Sequence, residues 1–210
     1  MYDWRKMTPK KREETLQIRK IRGYPWHRPP HFTGHDLDTE RYRAFHLSAA
    51  CYEHCPFIGT SPERIAQCEE QILSELKPHC DEIHAWSVLP NHYHILIELS
   101  ETASLDDILG AVGQFHGRSS YQWNGQDNAR GRRVWYQRTE RAIRTERHFW
   151  ATMNYVHHNP VRHGYVRKWQ DWPFSSARRF LESMGRDEVA RIWQEFPLLD
   201  YGKGWDDPNH

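Results

Sequence analysis

Two hundred and ten residues with a net charge of +1, 38% apolar residues and 13% aromatic ones, ten of them Trp, suit one globular domain with extensions. No run of eighteen apolar residues exists, which excludes a membrane-spanning helix. The opening Met1-Tyr-Asp-Trp-Arg-Lys6 has no apolar stretch, so no secretory signal is expected and the cytoplasm is the expected compartment.

Charge is unevenly spread. Residues 1–28 hold nine Lys/Arg against three Asp/Glu, residues 36–107 four against fourteen, and residues 130–168 ten against two. Two basic segments on a near-neutral chain can build one phosphate-binding face; the alternative is charges that solvate helices. Residues 1–40 read as a basic Pro/aromatic extension. Lys10–Lys20 suits a short helix, whereas the prolines of Gly23-Tyr-Pro-Trp-His-Arg-Pro-Pro-His-Phe32 forbid one. The aromatic residues of that stretch could stack on bases or pack as an arm.

The domain proper is expected over residues 41–180. Ala44–Tyr52 reads as a strand. Ser61-Pro62-Glu63 opens a helix to about Leu76, with Ser as N-cap and Pro at the first helical position. Ile83–Leu89 and His92–Leu99 read as strands joined by Pro90-Asn91. Ser104, with Asp107 three residues on, starts a helix to about Tyr121. Asn124–Gly131 reads as loop, and Val134–Arg138 as a fourth strand, paired with or continued by Arg141–Arg144. Thr145 caps a third helix that stops at Asn159-Pro160. The order β-α-β-β-α-β, then α, is that of an α+β, ferredoxin-like fold, an antiparallel sheet with helices on one face. Trp172-Pro-Phe-Ser-Ser176 suits a structured turn. Residues 181–210 read as a C-terminal helix and an acidic tail, the tail expected to be mobile.

Two segments carry chemistry. In Pro90-Asn-His-Tyr-His-Ile-Leu-Ile97, His92 and His94 lie two apart on a strand, so their imidazoles share one face and suit one metal ion. Tyr93 points the other way. In Met153-Asn-Tyr-Val-His-His-Asn-Pro-Val-Arg-His-Gly164, Tyr155 and Asn159 are four apart on one helical face. Asn159 offers a carbonyl oxygen as a third ligand, with His158 as competitor, while His157 points elsewhere. A metal held this way would neutralise a phosphodiester and align it for attack by Tyr155. The product would be a phosphotyrosine and a free DNA hydroxyl. Because the bond energy is kept, a second strand end can be joined in the reverse step.

These motifs resemble a known family. Pro-Asn-His-x-His, the Trp135-Tyr-Gln-Arg138 strand and the Tyr-x-x-x-Asn-Pro-Val-Arg-x-Gly block are similar to the single-tyrosine HUH transposases. Trp172–Ser176 fits a downstream element of the REP-associated tyrosine transposases, and the resemblance covers roughly residues 42–180. It implies an HUH-endonuclease fold, Mg2+ or Mn2+ as cofactor, and cleavage of single-stranded DNA near palindromic hairpins through a 5′-phosphotyrosine. Carried over by position, His92 and His94 are metal ligands, Tyr155 is the nucleophile and Asn159 takes the place of a Gln in insertion-sequence relatives. Arg162 and Gly164 belong to the same block. Relatives include monomers and homodimers.

The basic excess motivates Arg133, Arg138, Arg141, Arg144 and Arg162 as DNA contacts, with Arg167 and Lys168 beyond. Two rival readings remain. One is a catalytically idle protein that grips hairpins with the same fold. The other is a structural zinc module built on Cys51, Cys55 and neighbouring histidines, against which buried reduced thiols are the simpler reading.

Overall fold

The computed structural model describes residues 8–11, 13, 14, 17, 43–199 and 201. Residues 43–199 belong to one compact unit; outside it, residues 9–11, 13, 14 and 17 are helical. The remainder of the basic extension, with its Pro/aromatic stretch, and the acidic tail lie outside the described residues. Four strands form one antiparallel sheet: β1 (Ala44–Cys51), β2 (Cys80–Val88), β3 (His92–Leu99) and β4 (Trp135–Ala142). Their order is β2-β3-β1-β4. Between and after them run α1 (Pro62–Leu76), α2 (Leu105–Gln126), α3 (Glu146–Arg162), α4 (Ala177–Met184) and α5 (Arg186–Glu195).

The alternation of β1 and β3 sorts the sheet into two faces. Phe45, Leu47, Ala49, Tyr93, Ile95 and Ile97 enter a core with Ile65, Cys68 and Ile72 of α1 and Ile108, Val112 and Phe115 of α2. The Ser61 hydroxyl accepts from the Arg64 amide at 3.2 Å to start α1, and Ser104 and Asp107 form a complete capping box on α2. Helix α2 continues past Tyr121 to Gln126, into the expected loop. Trp123, fully buried, anchors that last turn, and Asp127 beyond it takes Arg64 at 2.7 Å and Arg132 at 2.7 Å. Strand β2 starts at Cys80 rather than Ile83. Its pairing with β3 is irregular between Cys80 and Glu82 and between Ile83 and Ala85, which hides the period of two.

His46, Ser48, Ala50, His92, His94 and Leu96 occupy the other face. In this register Ala50 pairs with His92 and Ser48 with His94. Helices α1 and α2 cover one face, as the ferredoxin-like order requires; α3 packs on the opposite face, over β2 and β3. That is why β3 is buried from His92 to Ile97 without a gap. Helix α3 runs through Pro160 to Arg162. Proline this close to a helix end forfeits one backbone bond without turning the chain, so Asn159 stays in helical phase with Tyr155.

The segment after α3 adds itself to the open side of β2. Val88 N–H donates to Phe174 O at 2.9 Å and Ser176 N–H to Trp86 O at 3.1 Å, and Ser87 bridges Ser175. The Trp172 indole N–H reaches Val88 O at 2.9 Å. Beyond residue 180, Ile192 of α5 is fully buried, and the Asn154 amide of α3 donates to Phe196 O at 2.9 Å.

Candidate active site

The two motif histidines stand on β3 with ring centroids 5.1 Å apart. Of the two candidates for a third ligand, Asn159 faces the histidine pair: its Oδ1 lies 2.9 Å from His92 Nε2. His158 instead packs beside Trp193, 5.8 Å between centroids. His157 turns into the interior, where its Nε2 meets Ser176 Oγ at 2.8 Å. The Tyr155 ring stands edge-on to His94 at 5.1 Å between centroids. Arg162 lies 5.8 Å from the centre of the same tyrosine ring. Tyr93 points into the core on the other face, its hydroxyl 3.0 Å from His116 Nε2.

Hydrogen bonds set the protonation of His92. The Asn91 amide donates from Nδ2 to His54 O at 3.2 Å, which leaves its Oδ1, 2.8 Å from His92 Nδ1, to accept. Nδ1 therefore carries the proton, and Nε2 presents a lone pair towards Asn159. Asn159 is 1% exposed, and its Nδ2 is buried without a partner. Its Oδ1 faces the His92 Nε2. Burial, then the neighbouring His92, His46, His163 and Arg162, pushes the His94 imidazole well below its ordinary range. His94 is thus neutral and keeps an electron pair to give.

Three residues of this cluster escape a reading by motif. His46 Nε2 is 3.1 Å from His94 Nδ1, and the alternation of β1, with Ser48 and Ala50 on the same face, was the available signal. His163, at the C-cap of α3, stacks edge-on to His92 with centroids 4.9 Å apart. Asn91 was visible only as half of a turn. Among the described residues, no three His, Cys, Asp or Glu side chains are grouped to hold a metal ion, so a site here requires the amide of Asn159. Cys51, Cys55 and Cys68 are buried, Cys80 is half-buried, and none of the four forms a disulfide.

The five arginines part company. Arg162 flanks the tyrosine, and Arg141 pairs with His46 across the β1–β4 ladder, on the histidine face. Arg133 is exposed and lies over the ring of Tyr52. The Arg144 backbone N–H meets His148 Nδ1 at 3.3 Å where α3 begins. Arg138 pairs with Ala49, which puts it on the face of α1 and α2 rather than with the histidine pair.

No family model matches the chain. It is 35% identical over 98 residues to the REP-associated tyrosine transposase of Escherichia coli (strain K12), covering 47% of this chain and 55% of that protein. The chain thus spans just over half the length of that relative. It is 33% identical over 144 residues to a Haemophilus influenzae protein given the same family name, covering 60% of this chain and 73% of that one. The solved structure of a REP-associated tyrosine transposase bound to a REP hairpin matches with a TM-score of 0.57 at 21% identity, over 75% of this chain and 90% of that one. At that identity the likeness speaks for the fold.

Proposed function

The chain belongs to the REP-associated tyrosine transposases, and on that premise we propose that it is a cytoplasmic, metal-dependent single-stranded DNA endonuclease and strand transferase that acts beside palindromic hairpins through Tyr155. One observation carries the reading. His92, His94 and Asn159 converge on one side of the sheet, with the Tyr155 ring 5.1 Å from that of His94. The Mg2+ or Mn2+ that the family resemblance implies would be held by two imidazoles and one hard amide oxygen, with positions left for the phosphate oxygens that such ions favour. When bound, the ion would neutralise the phosphodiester and polarise a phosphate oxygen.

The chain's own groups do the rest. Asn91 holds His92 with Nε2 bare. His94 would hold the ion through Nε2, its Nδ1 facing His46 at 3.1 Å, which keeps the ring in place. The Tyr155 hydroxyl attacks phosphorus, its proton passing to water, and the leaving 3′ oxygen takes up a proton. The 5′ end remains on Tyr155 as a phosphodiester, and a 3′ hydroxyl from the same or another strand reverses the step. Arg162, beside the tyrosine ring, is placed to meet the same phosphate.

A second reading draws on burial. Tyr155 is only 2% exposed, which favours a hairpin-binding protein that does no chemistry. Covalent capture separates the two. End-labelled hairpin oligonucleotides with single-stranded flanks are incubated with wild type and Tyr155→Phe, with and without Mn2+. Label carried by the wild-type protein alone, and only with metal, is the expected result on a denaturing gel. Equal binding by both proteins without any adduct would establish the binding-only reading instead.

A further inference from the structure

Next to the histidine pair, at the end of the sheet where β1 leaves and β4 enters, a second group of side chains stands outside the core. The Arg133 guanidinium lies 4.9 Å from the centre of the Tyr52 ring and 5.6 Å from that of Tyr136. The two tyrosine rings are 6.2 Å apart and tilted by 50°. Both tyrosines are half-buried and Arg133 is exposed. Cys51 and Trp135, the residues just before the tyrosines, belong to the core cluster; Tyr52 and Tyr136 do not. The pairing of β4 with β1 is irregular between Trp135 and Arg138, and such a bulge re-aims the side chains within it. Among the described residues no carboxylate pairs with Arg133. Its side-chain bonds go to the carbonyls of Trp135 at 3.2 Å and Tyr136 at 3.4 Å.

The backbone beside Tyr52 is strained. Glu53 and His54 both have φ of 52°, a left-handed conformation that residues with a Cβ avoid. Asn91 holds them there. Its carbonyl accepts from Cys51 N at 2.8 Å, its Nδ2 donates to His54 O at 3.2 Å, and its Oδ1 meets His92 Nδ1 at 2.8 Å. One side chain thus ties the turn that presents Tyr52 to the imidazole at the site. Strain maintained beside a site in this way points to something the turn must present.

We infer that Tyr52, Arg133 and Tyr136 form a subsite for one unpaired base of a single-stranded DNA segment flanking the hairpin. The rings supply sequence-tolerant stacking and the unneutralised guanidinium faces the strand's phosphates. Through Asn91, the base is held in register with His92, next to the phosphate that Tyr155 attacks. The subsite rests on the proposed function for the position of that phosphate, and adds that the protein grips the strand by a stacked base as well as by its charge.

The test measures binding in the Tyr155→Phe background, where no chemistry follows. One DNA is a hairpin with short single-stranded arms carrying 2-aminopurine at each unpaired position in turn. The other is the same hairpin without arms. Tyr52→Ala and Tyr136→Ala are expected to weaken binding of the armed hairpin about 5- to 150-fold, the range for one stacked base, and to change the armless one by less than about twofold. They should also abolish quenching at one 2-aminopurine position, while Tyr52→Phe and Tyr136→Phe retain it. Unchanged thermal melting of each alanine variant shows that the fold is intact; if one melts early, its phenylalanine counterpart together with Arg133→Gln decides. Equal losses on both DNAs, no loss on either, or no preference of the parent for the armed hairpin would each overturn the subsite. If wild type forms no adduct with Mn2+ but the arm-dependent losses occur, the catalytic reading falls and the subsite stands.

Discussion

At the level of single residues, the amide of Asn159 is decisive: its Oδ1 lies 2.9 Å from His92 Nε2, so the two atoms together would hold a cation placed between them. Asn159→Ala is therefore expected to cut adduct formation at least about 100-fold with hairpin binding kept, and His46→Ala to weaken Mn2+ binding about 10- to 100-fold by freeing the His94 ring. Calorimetric titration with Mn2+ and the covalent gel read the two effects. Other buried histidines set a pH limit. Burial pushes His157 down to about 3, and burial with Arg138 nearby does the same to His116. Their unfolded values are near 6.5, so the unfolded chain binds the protons first. Their contribution is complete above about pH 6.5 and lost as pH falls towards 3, at up to about 1.4 kcal/mol per pH unit for each imidazole. Urea midpoints recorded from pH 7 to 4 should fall accordingly, and His157→Gln should make that fall shallower.

Among the elements, α3 carries both Tyr155 and Asn159, and the Trp172–Ser176 segment fastens it to the sheet. Ser176 is the joint. Its Oγ accepts from the Trp86 backbone N–H at 2.9 Å and meets His157 Nε2 at 2.8 Å. Removing that hydroxyl leaves two buried groups unsatisfied on two different elements. Ser176→Ala is expected to destabilise the fold by about 2–4 kcal/mol, measured by urea denaturation. It should also lower the adduct yield at temperatures where the protein is still folded, because α3 is then free to shift over the sheet. Loss of stability with adduct formation intact would show that the segment supports the fold without aligning the helix.

For the whole molecule, a net charge of +1 leaves DNA binding to the placement of charge. Arg141 pairs with His46 on the histidine face, whereas Arg138 pairs with Ala49 on the face of α1 and α2. Replacing Arg141 by Gln should lower the slope of log affinity against log salt by about one unit, the effect of one lost phosphate contact. Arg138→Gln should leave the slope unchanged. Equal effects of the two substitutions in a salt titration would sink this division of the arginines.

The order of elements was legible because it is written in local chemistry: Ser61-Pro62 and Ser104-Asp107 cap helices, and the alternation of β3 sends His92 and His94 one way and Tyr93 the other. The two motifs were legible for the same reason, each lying within one element of known period. The end of α2 was not, since Trp123 prolongs the helix by burying its ring against distant residues. Nor was the covering of the histidine face by α3, the choice of Asn159 over His158, the recruitment of His46 and His163, or the separation of Arg138 from Arg141. Each of these depends on which surfaces meet across the sheet, and periodicity along a chain carries no information about the partner on the other side. The sequence by itself determined the secondary elements and the residues able to do chemistry; tertiary packing alone decided which of them share a site.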